Sequence, residues 1–185
     1  KRFVNVTGCT LHPWLERGIF YAHRDLDKIL DAYENNEPIY IYTGRGPSVN
    51  EMHIGDLIQF MFCKYLQDVF GAIIIIQISD DEKYYFNDNN SIDDYINFSY
   101  KSVKNIIACG FNPNKTLIFS NTEYMNKYMY NNVVKMNKCI TGNQIRGIFG
   151  LNLDNNIGRL SWPIYQCVPA FSNSFYEIFG NNHIY

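Results

Sequence analysis

Apolar residues between positions 38 and 78 follow two different spacings, which predict a strand, a helix and a second strand. Residues 38–43 are short, apolar and aromatic and stop at a Gly-Arg-Gly-Pro break, as is typical of a buried strand. The helix is predicted by apolar residues at steps of three and four: Ile54, Leu57, Ile58, Met61, Phe62, Tyr65, Leu66 and Val69. Gly71 ends it, and the apolar run 72–78 is typical of a central parallel strand buried on both faces. Together these elements predict a right-handed βαβ unit.

The segment 42–56 joins the first strand to the helix and carries residues that suit a bound anion. Arg45 lies just before the helix, and His53 and Gly55 lie in its first turn. In βαβ units, ligands bind beyond the carboxyl ends of the strands. Anions bind at the amino end of the helix, where free N–H groups and the helix dipole favour negative charge. The sequence therefore predicts a phosphate-binding site in this segment.

Further elements alternate along the chain. Asp25 is predicted to cap a helix that carries Leu26, Ile29, Leu30 and Tyr33. Ser91, followed by acidic residues, is predicted to begin a helix that continues to Gly110. Residues 116–119 are predicted to form a third strand. We expect the amino-terminal piece to pack on the nucleotide-binding fold.

The carboxyl-terminal half is predicted to be mainly helical. The pattern is helical over residues 122–149, with breaks expected at Gly142, Gly147 and Gly150. Ser161 and Pro163 are interpreted as the cap and first turn of a helix that ends at about residue 170.

Composition indicates one folded domain. Hydrophobic residues make up 46% of the 185 residues and charged residues 18%, which excludes disorder as the default. The formal net charge of −2, without a dense basic patch, gives no charge signal for nucleic-acid binding. The five cysteines are odd in number and scattered, which favours a reducing compartment. The absence of an initial methionine indicates a chain cut from something longer.

Six ordered motifs resemble the catalytic domain of the tryptophanyl-tRNA synthetase family of eukaryotic and archaeal type. Residues 52–55 (Met-His-Ile-Gly) match the first signature of class I synthetases. The other matching blocks are residues 42–48, 77–83, 107–111, 147–150 and 171–175. The resemblance extends from about residue 17 to residue 179. The first signature alone indicates only the class, whereas the ordered set of blocks is specific.

The resemblance implies an α/β fold, Rossmann-like, with a parallel sheet and a helical dimerisation insertion. Residues 1–36 are then an appended amino-terminal segment and residues 37–185 a partial catalytic domain, with the insertion at about 91–149. The implied reaction joins L-tryptophan to ATP, forming tryptophanyl-adenylate and pyrophosphate, and then transfers tryptophan to tRNA(Trp). A cytoplasmic homodimer is expected on the same basis.

Each residue role that the resemblance implies has a simpler structural alternative. Catalysis is assigned to His53, Arg45 and Gly55, and ATP binding to Thr43, Arg45, Gly46, His53, Gly55, Asp56 and Lys83. His53 is expected to donate to the triphosphate, Gly55 to let adenine approach the backbone, and Arg45 to hold α-phosphate or carboxylate oxygens. The alternative for His53 is a side chain that caps its own helix.

Tryptophan binding is assigned to Tyr42, Gln77, Glu82 and Gln166. The indole N–H only donates, so its pocket needs acceptors, which Tyr42 and Gln77 supply. Glu82 and Gln166 are expected to bind the ammonium group. The alternatives are a core tyrosine at position 42 and a solvated strand end at Glu82.

No protein-held metal is expected. The acidic run 80–82 suits Mg²⁺, but neighbouring residues of a strand point to opposite faces and do not converge on one ion. We expect Mg²⁺ to arrive with ATP.

Asp56 departs from the family pattern, which usually has a second histidine at this position. An ionised carboxylate accepts hydrogen bonds and repels a triphosphate, although it stabilises a helix amino end. Three explanations stay open: Mg²⁺ bridges Asp56 to the phosphates, activation is weak, or catalysis is lost. We expect retained activity with altered phosphate binding.

The family's lysine-serine loop and anticodon-binding domain do not occur before Tyr185. We therefore expect residues 1–185 alone to bind ligands better than they catalyse. Two other functions stay open: a tyrosine-specific relative, and a non-catalytic sensor of tryptophan or nucleotide.

Overall fold

A three-stranded parallel sheet in the order β1-β2-β3 forms the centre of the computed structural model. The model describes residues 1–48, 52–181 and 184, so residues 49–51 of the predicted phosphate-binding segment lie outside the described part. The strands are β1 Tyr40–Arg45, β2 Ile73–Ile78 and β3 Thr116–Ser120. In the register, Tyr42 lies opposite Ile75, and Gln77 lies opposite Gly44 and Phe119. The predicted parallel sheet and its central strand are confirmed.

Eleven helices surround the sheet in the described part of the chain. They are α1 Arg2–Thr7, α2 Pro13–Glu16, α3 Leu26–Glu34, α4 Ile54–Phe70, α5 Asp80–Phe86, α6 Ile92–Ala108, α7 Asn121–Tyr124, α8 Lys127–Cys139, α9 Gly142–Phe149, α10 Ile157–Cys167 and α11 Tyr176–Phe179. Short 3₁₀ segments lie at Pro113–Lys115, Val168–Ala170 and Ser172–Phe175. Within the residues described, none of the helices has the length and apolarity needed to cross a membrane.

Alternation along β2 divides the core between the two faces of the sheet. Ile74, Ile76 and Ile78 pack with Phe60 of α4 and Ile106 of α6 on one face. Ile75 packs on the other face in a separate cluster, together with Phe119, Met129, Val133, Ile164, Val168, Phe175, Phe179 and Ile184. Because side chains alternate along a strand, Gln77 shares the face of Ile75 and points into this second layer.

Helix α4 has the predicted extent, but only part of the predicted apolar stripe is buried: Val69 is 8% exposed, and the buried residues Phe60 and Gln67 lie outside the stripe. Phe60 and Gln67 are 1% and 2% exposed, whereas Ile54 is 78% exposed and Leu57 and Met61 are each 40% exposed. The reason is that α4 packs on two sides at once. Phe60 faces the sheet, and other residues of the helix face the amino-terminal segment. Spacing alone did not distinguish these two contacts from one continuous face.

Aromatic contacts attach the amino-terminal segment to α4, as expected. Phe20 stacks on Phe62 with ring centroids 4.1 Å apart, and Phe3 lies 6.2 Å from Tyr65. Asp25 precedes α3 but does not cap it, which corrects the prediction. It has φ 59° and makes no side-chain cap hydrogen bond, and its carboxylate lies 3.3 Å from Lys28 Nζ.

The cap of α10 was predicted five residues too late, at Ser161 instead of Asn156. Asn156 caps the helix by accepting from the N–H of Arg159 at 2.9 Å, so Pro163 lies inside α10 rather than in its first turn. The Ser161 hydroxyl instead donates to the carbonyl of Gly158 at 3.2 Å.

Of the three helix breaks predicted at glycines, the one at Gly147 is wrong, whereas a break lies directly before Gly142, between α8 and α9, and another at Gly150. Gly142 begins α9 after a capping box formed by Thr141 and Gln144, and Gly147 lies within α9. Only Gly150, with φ 68°, ends the helix. The segment 91–149 also contains β3, so the stretch described as a helical insertion is interrupted by a strand of the sheet.

Replacing Phe60 with alanine tests the observed packing of α4 against the predicted stripe. We expect Phe60→Ala to lower the free energy of unfolding by about 3–5 kcal/mol, because it leaves a cavity against the sheet. Ile54→Ala is expected to change it by less than about 0.5 kcal/mol, since Ile54 is largely exposed. Urea unfolding followed by circular dichroism measures both. Equal destabilisation by the two substitutions contradicts the observed packing.

Candidate functional site

His53 and Asp56 form a reciprocal capping box at the amino end of α4. The imidazole Nδ1 of His53 accepts from the N–H groups of Gly55 at 3.1 Å and Asp56 at 3.4 Å. In return, Asp56 Oδ2 accepts from the N–H of His53 at 3.2 Å. The structural alternative for His53, a side chain that caps its own helix, is therefore present in the structure.

Capping also decides which nitrogen of His53 is available to a ligand. Because two backbone N–H groups point at Nδ1, that nitrogen carries no proton, and the neutral ring holds its proton on Nε2. The side chain is 78% exposed, so this donor is reached from solvent. A Cβ at Gly55 would lie 3.0 Å from His53 Cε1, so glycine gives the ring room to lie in this position. Capping and donation to an anion therefore use different atoms of one ring.

Asp56 also holds Arg45, the cation at the end of β1. Its Oδ2 lies 3.0 Å from Arg45 Nη1, and the Arg45 side chain is only 9% exposed. Arg45 Nη2 donates to Ser48 Oγ at 3.4 Å, and Nε has no hydrogen-bond partner among the described residues. A buried guanidinium with unused donors is thus balanced by the carboxylate of Asp56.

Lys83 lies next to the Gly-Arg-Gly turn. A Cβ at Gly46 would lie 2.2 Å from Lys83 Cε, so the lysine side chain crosses directly over this glycine. The structure therefore brings Lys83 and Gly46, two of the residues assigned to ATP binding, next to each other.

Thr43 is positioned differently from the other predicted ATP-binding residues. It is 9% exposed, and its hydroxyl contacts the amide of Gln59 on α4. The Thr43 side chain therefore joins β1 to the helix rather than extending towards the segment of Arg45 and Lys83.

Three of the residues assigned to tryptophan meet at the Tyr42 hydroxyl. Tyr42 Oη contacts Gln77 Oε1 and lies 2.6 Å from the carbonyl oxygen of Gln166. The Gln166 amide donates to the same hydroxyl at 3.3 Å. The Tyr42 hydroxyl has one proton, but it faces two acceptors, Gln77 Oε1 and the Gln166 carbonyl oxygen. It donates to only one of them at a time, so the other receives no proton from Tyr42. Tyr42 and Gln166 are half-buried, and Gln77 is fully buried.

Glu82 lies in α5, close to the carboxyl ends of β1 and β2, and is not a solvated strand end. The Ser79 hydroxyl donates to Glu82 Oε2 at 2.8 Å, and the Ser79 N–H donates to the Arg45 carbonyl at 3.0 Å. Ser79 thereby connects Glu82 to the end of β1. The structure describes no direct contact between Glu82 and Gln166, the other residue assigned to the ammonium group.

The acidic run 80–82 belongs to a helix, so the strand argument used to exclude a metal was based on the wrong element. The carboxylates still have separate partners. Asp80 is fully buried and accepts from the N–H of Thr122 at 3.3 Å and from its hydroxyl, and Asp81 accepts from Asn121 at 2.8 Å. Across residues 1–48, 52–181 and 184, no group of three or more His, Cys, Asp or Glu side chains is arranged to hold a metal ion.

Burial shifts two pKa values in this region. It raises the pKa of the Tyr42 hydroxyl well above its usual value, which keeps the group protonated. Burial also raises the pKa of the Asp81 carboxyl, while the hydrogen bond from Asn121 acts in the opposite direction.

The sequence reasoning missed Asn121, Gln59 and Ser79. Asn121 directly follows β3, and its side chain contacts both Gln77 and Asp81. Gln77 was assigned by resemblance, whereas the general rule that ligands bind beyond the carboxyl ends of parallel strands applies to Asn121 as well. Gln59 had no such signal, because its role depends on how α4 docks on β1.

The fold and this arrangement define a class I aminoacyl-tRNA synthetase catalytic core. The profile of the tRNA synthetases class I (W and Y) matches residues 34–158, which is more than half of the chain. The chain belongs to this family, and its sheet has the Rossmann-like arrangement of the family's solved structures.

The relatives include cytoplasmic tryptophan–tRNA ligases. The Mus musculus protein is 51% identical over 97% of this chain and 37% of its own length, and the Schizosaccharomyces pombe protein is 48% identical over 97% of this chain and 46% of its own length. The tryptophanyl-tRNA synthetase of Trypanosoma brucei has a TM-score of 0.95 at 44% identity, covering 100% of this chain and 56% of that one. The chain thus spans less than half the length of these two ligases.

Replacing Gly46 with alanine tests the contact with Lys83. The new methyl group displaces a flexible side chain, so we expect the free energy of unfolding to change by less than about 1 kcal/mol. If Lys83 contacts ATP, Gly46→Ala and Lys83→Met each weaken ATP binding about tenfold, and the double variant is no weaker than either single one. Calorimetric titration with ATP in the complete natural protein measures this. If the losses of ATP affinity in the two single variants add up in the double variant, the two substitutions do not act through the same Lys83 contact.

Proposed function

We propose that this chain is part of a tryptophan–tRNA ligase. The proposed reaction activates L-tryptophan with ATP and then transfers it to tRNA(Trp). The observation that carries the proposal is the surplus acceptor at Tyr42 and Gln77, because an indole N–H is a single donor that only donates. The names of the relatives support tryptophan rather than tyrosine as the substrate. Their names also support a cytoplasmic location.

The proposed chemistry needs positioning and charge stabilisation rather than a protein nucleophile. A carboxylate oxygen of tryptophan attacks the α-phosphorus of ATP, the bond to the β-phosphate oxygen breaks, and pyrophosphate leaves. Positive charge and N–H donors near the phosphates stabilise this transition state. In the proposal, Arg45, Lys83 and the Nε2–H of His53 supply them. Mg²⁺ is proposed to accompany ATP and to screen its phosphates.

Recognition of the amino acid is proposed to involve two sets of groups, which meet where Gln166 contacts the Tyr42 hydroxyl. The indole N–H donates to the acceptors at Tyr42 and Gln77. Glu82 and Gln166 bind the ammonium group. The homodimer remains a proposal based on resemblance and is placed in the segment 91–149.

A second candidate is a tryptophan or nucleotide sensor without catalysis. The observation that favours it is the ion pair between Asp56 and Arg45, which occupies a cation that the reaction uses. Tryptophan-dependent exchange of pyrophosphate into ATP by the complete natural protein distinguishes the two functions. Exchange with tryptophan and not with tyrosine supports the ligase, whereas tight tryptophan binding without exchange supports the sensor.

Replacing Asp56 with histidine tests how this position affects ATP. We expect Asp56→His to raise ATP affinity or the exchange rate about tenfold, because it removes a negative charge, releases Arg45 and adds a donor. Asp56→Asn serves as the control that removes the charge without adding an imidazole, and it is expected to give a smaller gain. A folded Asp56→His variant with an unchanged or lower exchange rate contradicts the proposal.

Replacing Glu82 with glutamine tests the ammonium contact. We expect Glu82→Gln to weaken L-tryptophan binding by about 10- to 100-fold, since a hydrogen bond to a charged group contributes about 1.5–3 kcal/mol. Binding of indole-3-propionate, which lacks the ammonium group, is the control and is expected to change less than threefold. Calorimetry with both compounds measures this. Equal losses for the two ligands rule out a specific ammonium contact.

A further inference from the structure

Gln77 is the acceptor at the centre of the proposed indole site, and its amide has a fixed direction. Its Nε2 lies 2.7 Å from Asn121 Oδ1 and 3.2 Å from the carbonyl oxygen of Tyr165. A main-chain carbonyl only accepts, so the atom that faces Tyr165 is the amide nitrogen. Both hydrogens of Nε2 are used in these two contacts. Oε1 is thereby left facing Tyr42 as an acceptor.

Asn121 has a fixed direction for the same reason. Its Nδ2 lies 2.8 Å from Asp81 Oδ1, and the same oxygen accepts from the N–H of Glu82 at 2.8 Å, so Oδ1 acts as an acceptor. The opposite end of the Asn121 amide therefore presents Oδ1 to Gln77. Asn121 is 5% exposed, and its described contacts with Asp81 and Gln77 leave it no equivalent alternative orientation.

Four side chains form a directed series of hydrogen bonds, in the order Asp81, Asn121, Gln77 and Tyr42. Asp81 orients Asn121, Asn121 orients Gln77, and Gln77 presents an oxygen to the Tyr42 hydroxyl at the proposed indole site. If the Gln77 amide reversed, its oxygen would face the carbonyl oxygen of Tyr165 and Oδ1 of Asn121, and neither contact would contain a donor. Without Asn121, only the 3.2 Å contact with Tyr165 opposes this reversal.

We infer that Asn121 is a positioning residue that sets selectivity for a ligand with an N–H donor, by holding the Gln77 amide oxygen towards Tyr42. The inference rests on the proposed function, which places the tryptophan indole at these residues. A side chain of similar shape without an N–H leaves the Gln77 oxygen unpaired in a buried site and is rejected for that reason. If Gln77 reverses, its NH₂ group faces the pocket, and the preference for a donor is reduced.

The test compares L-tryptophan with β-(3-benzothienyl)alanine, in which sulfur replaces the indole N–H. Calorimetry on the complete natural protein gives the ratio of the two affinities. Asn121→Leu is expected to lower this ratio about tenfold, with most of the change in tryptophan affinity. A purely structural role for Asn121 would instead lower both affinities equally.

Asn132→Leu is the matched control. Asn132 is 7% exposed, compared with 5% for Asn121, and its Nδ2 donates to Asn173 and Ser174 at 2.8 Å. The same substitution at similar burial, in contact with different residues, is expected to leave the affinity ratio within twofold of the wild-type ratio. If the affinity ratio falls in both Asn121→Leu and Asn132→Leu, the inference is overturned, because general destabilisation then explains the fall.

If Asn121→Leu does not fold, Asp81→Asn tests whether the orientation of Asn121 controls the selectivity. It keeps the size of residue 81 but removes the obligatory acceptor, so we expect a three- to tenfold loss of the same ratio. An unchanged ratio in a folded Asn121→Leu or Asp81→Asn variant overturns the inference while the proposed function stands. A wild-type protein that does not bind tryptophan, or that binds both ligands equally, contradicts the proposed function itself.

Discussion

Burial of β2 on both faces is the constraint on which the rest of the structure depends. Alternation sends Ile74, Ile76 and Ile78 to one layer, and Ile75 and Gln77 to the other. The amide of Gln77 therefore lies where water does not reach it, and leaving it unpaired would cost about 1–3 kcal/mol. The fold satisfies it with groups from β1, from α10 and from the end of β3. One buried polar side chain thus brings four separate parts of the chain together.

The extent of most elements was predictable, because it depends on local signals. The run 72–78 and the capping residue Ser91 determine a strand and a helix whatever lies around them. The burial of Phe60 and the left-handed conformation of Asp25 were not predictable, because both depend on neighbouring segments. The helix cap at Asn156 was not identified from the sequence, because Ser161, followed by Pro163, was interpreted as the cap instead.

In the candidate site, too, several residues were predictable from local sequence motifs, whereas their contacts depend on the tertiary structure. Motifs in the sequence selected Tyr42, Arg45, His53 and Gln77, and the structure brings Tyr42 into contact with Gln77. Their partners were less predictable, since Asp56 is engaged by Arg45 only after α4 docks beside β1. An acid at the start of a helix is ordinary by itself. Beside a buried guanidinium, the same acid occupies the cation that is proposed to bind phosphate.

The capping geometry of His53 has a consequence for the entropy of binding. A free surface histidine loses rotamer freedom when it orders around a ligand, and such losses reduce affinity by about 0.5–1.5 kcal/mol per side chain. The ring of His53 is already oriented by the N–H groups of Gly55 and Asp56. Folding of α4 has therefore ordered the donor before an anion arrives. In this respect the helix start acts as a preorganised receptor, although the side chain itself lies mostly in solvent.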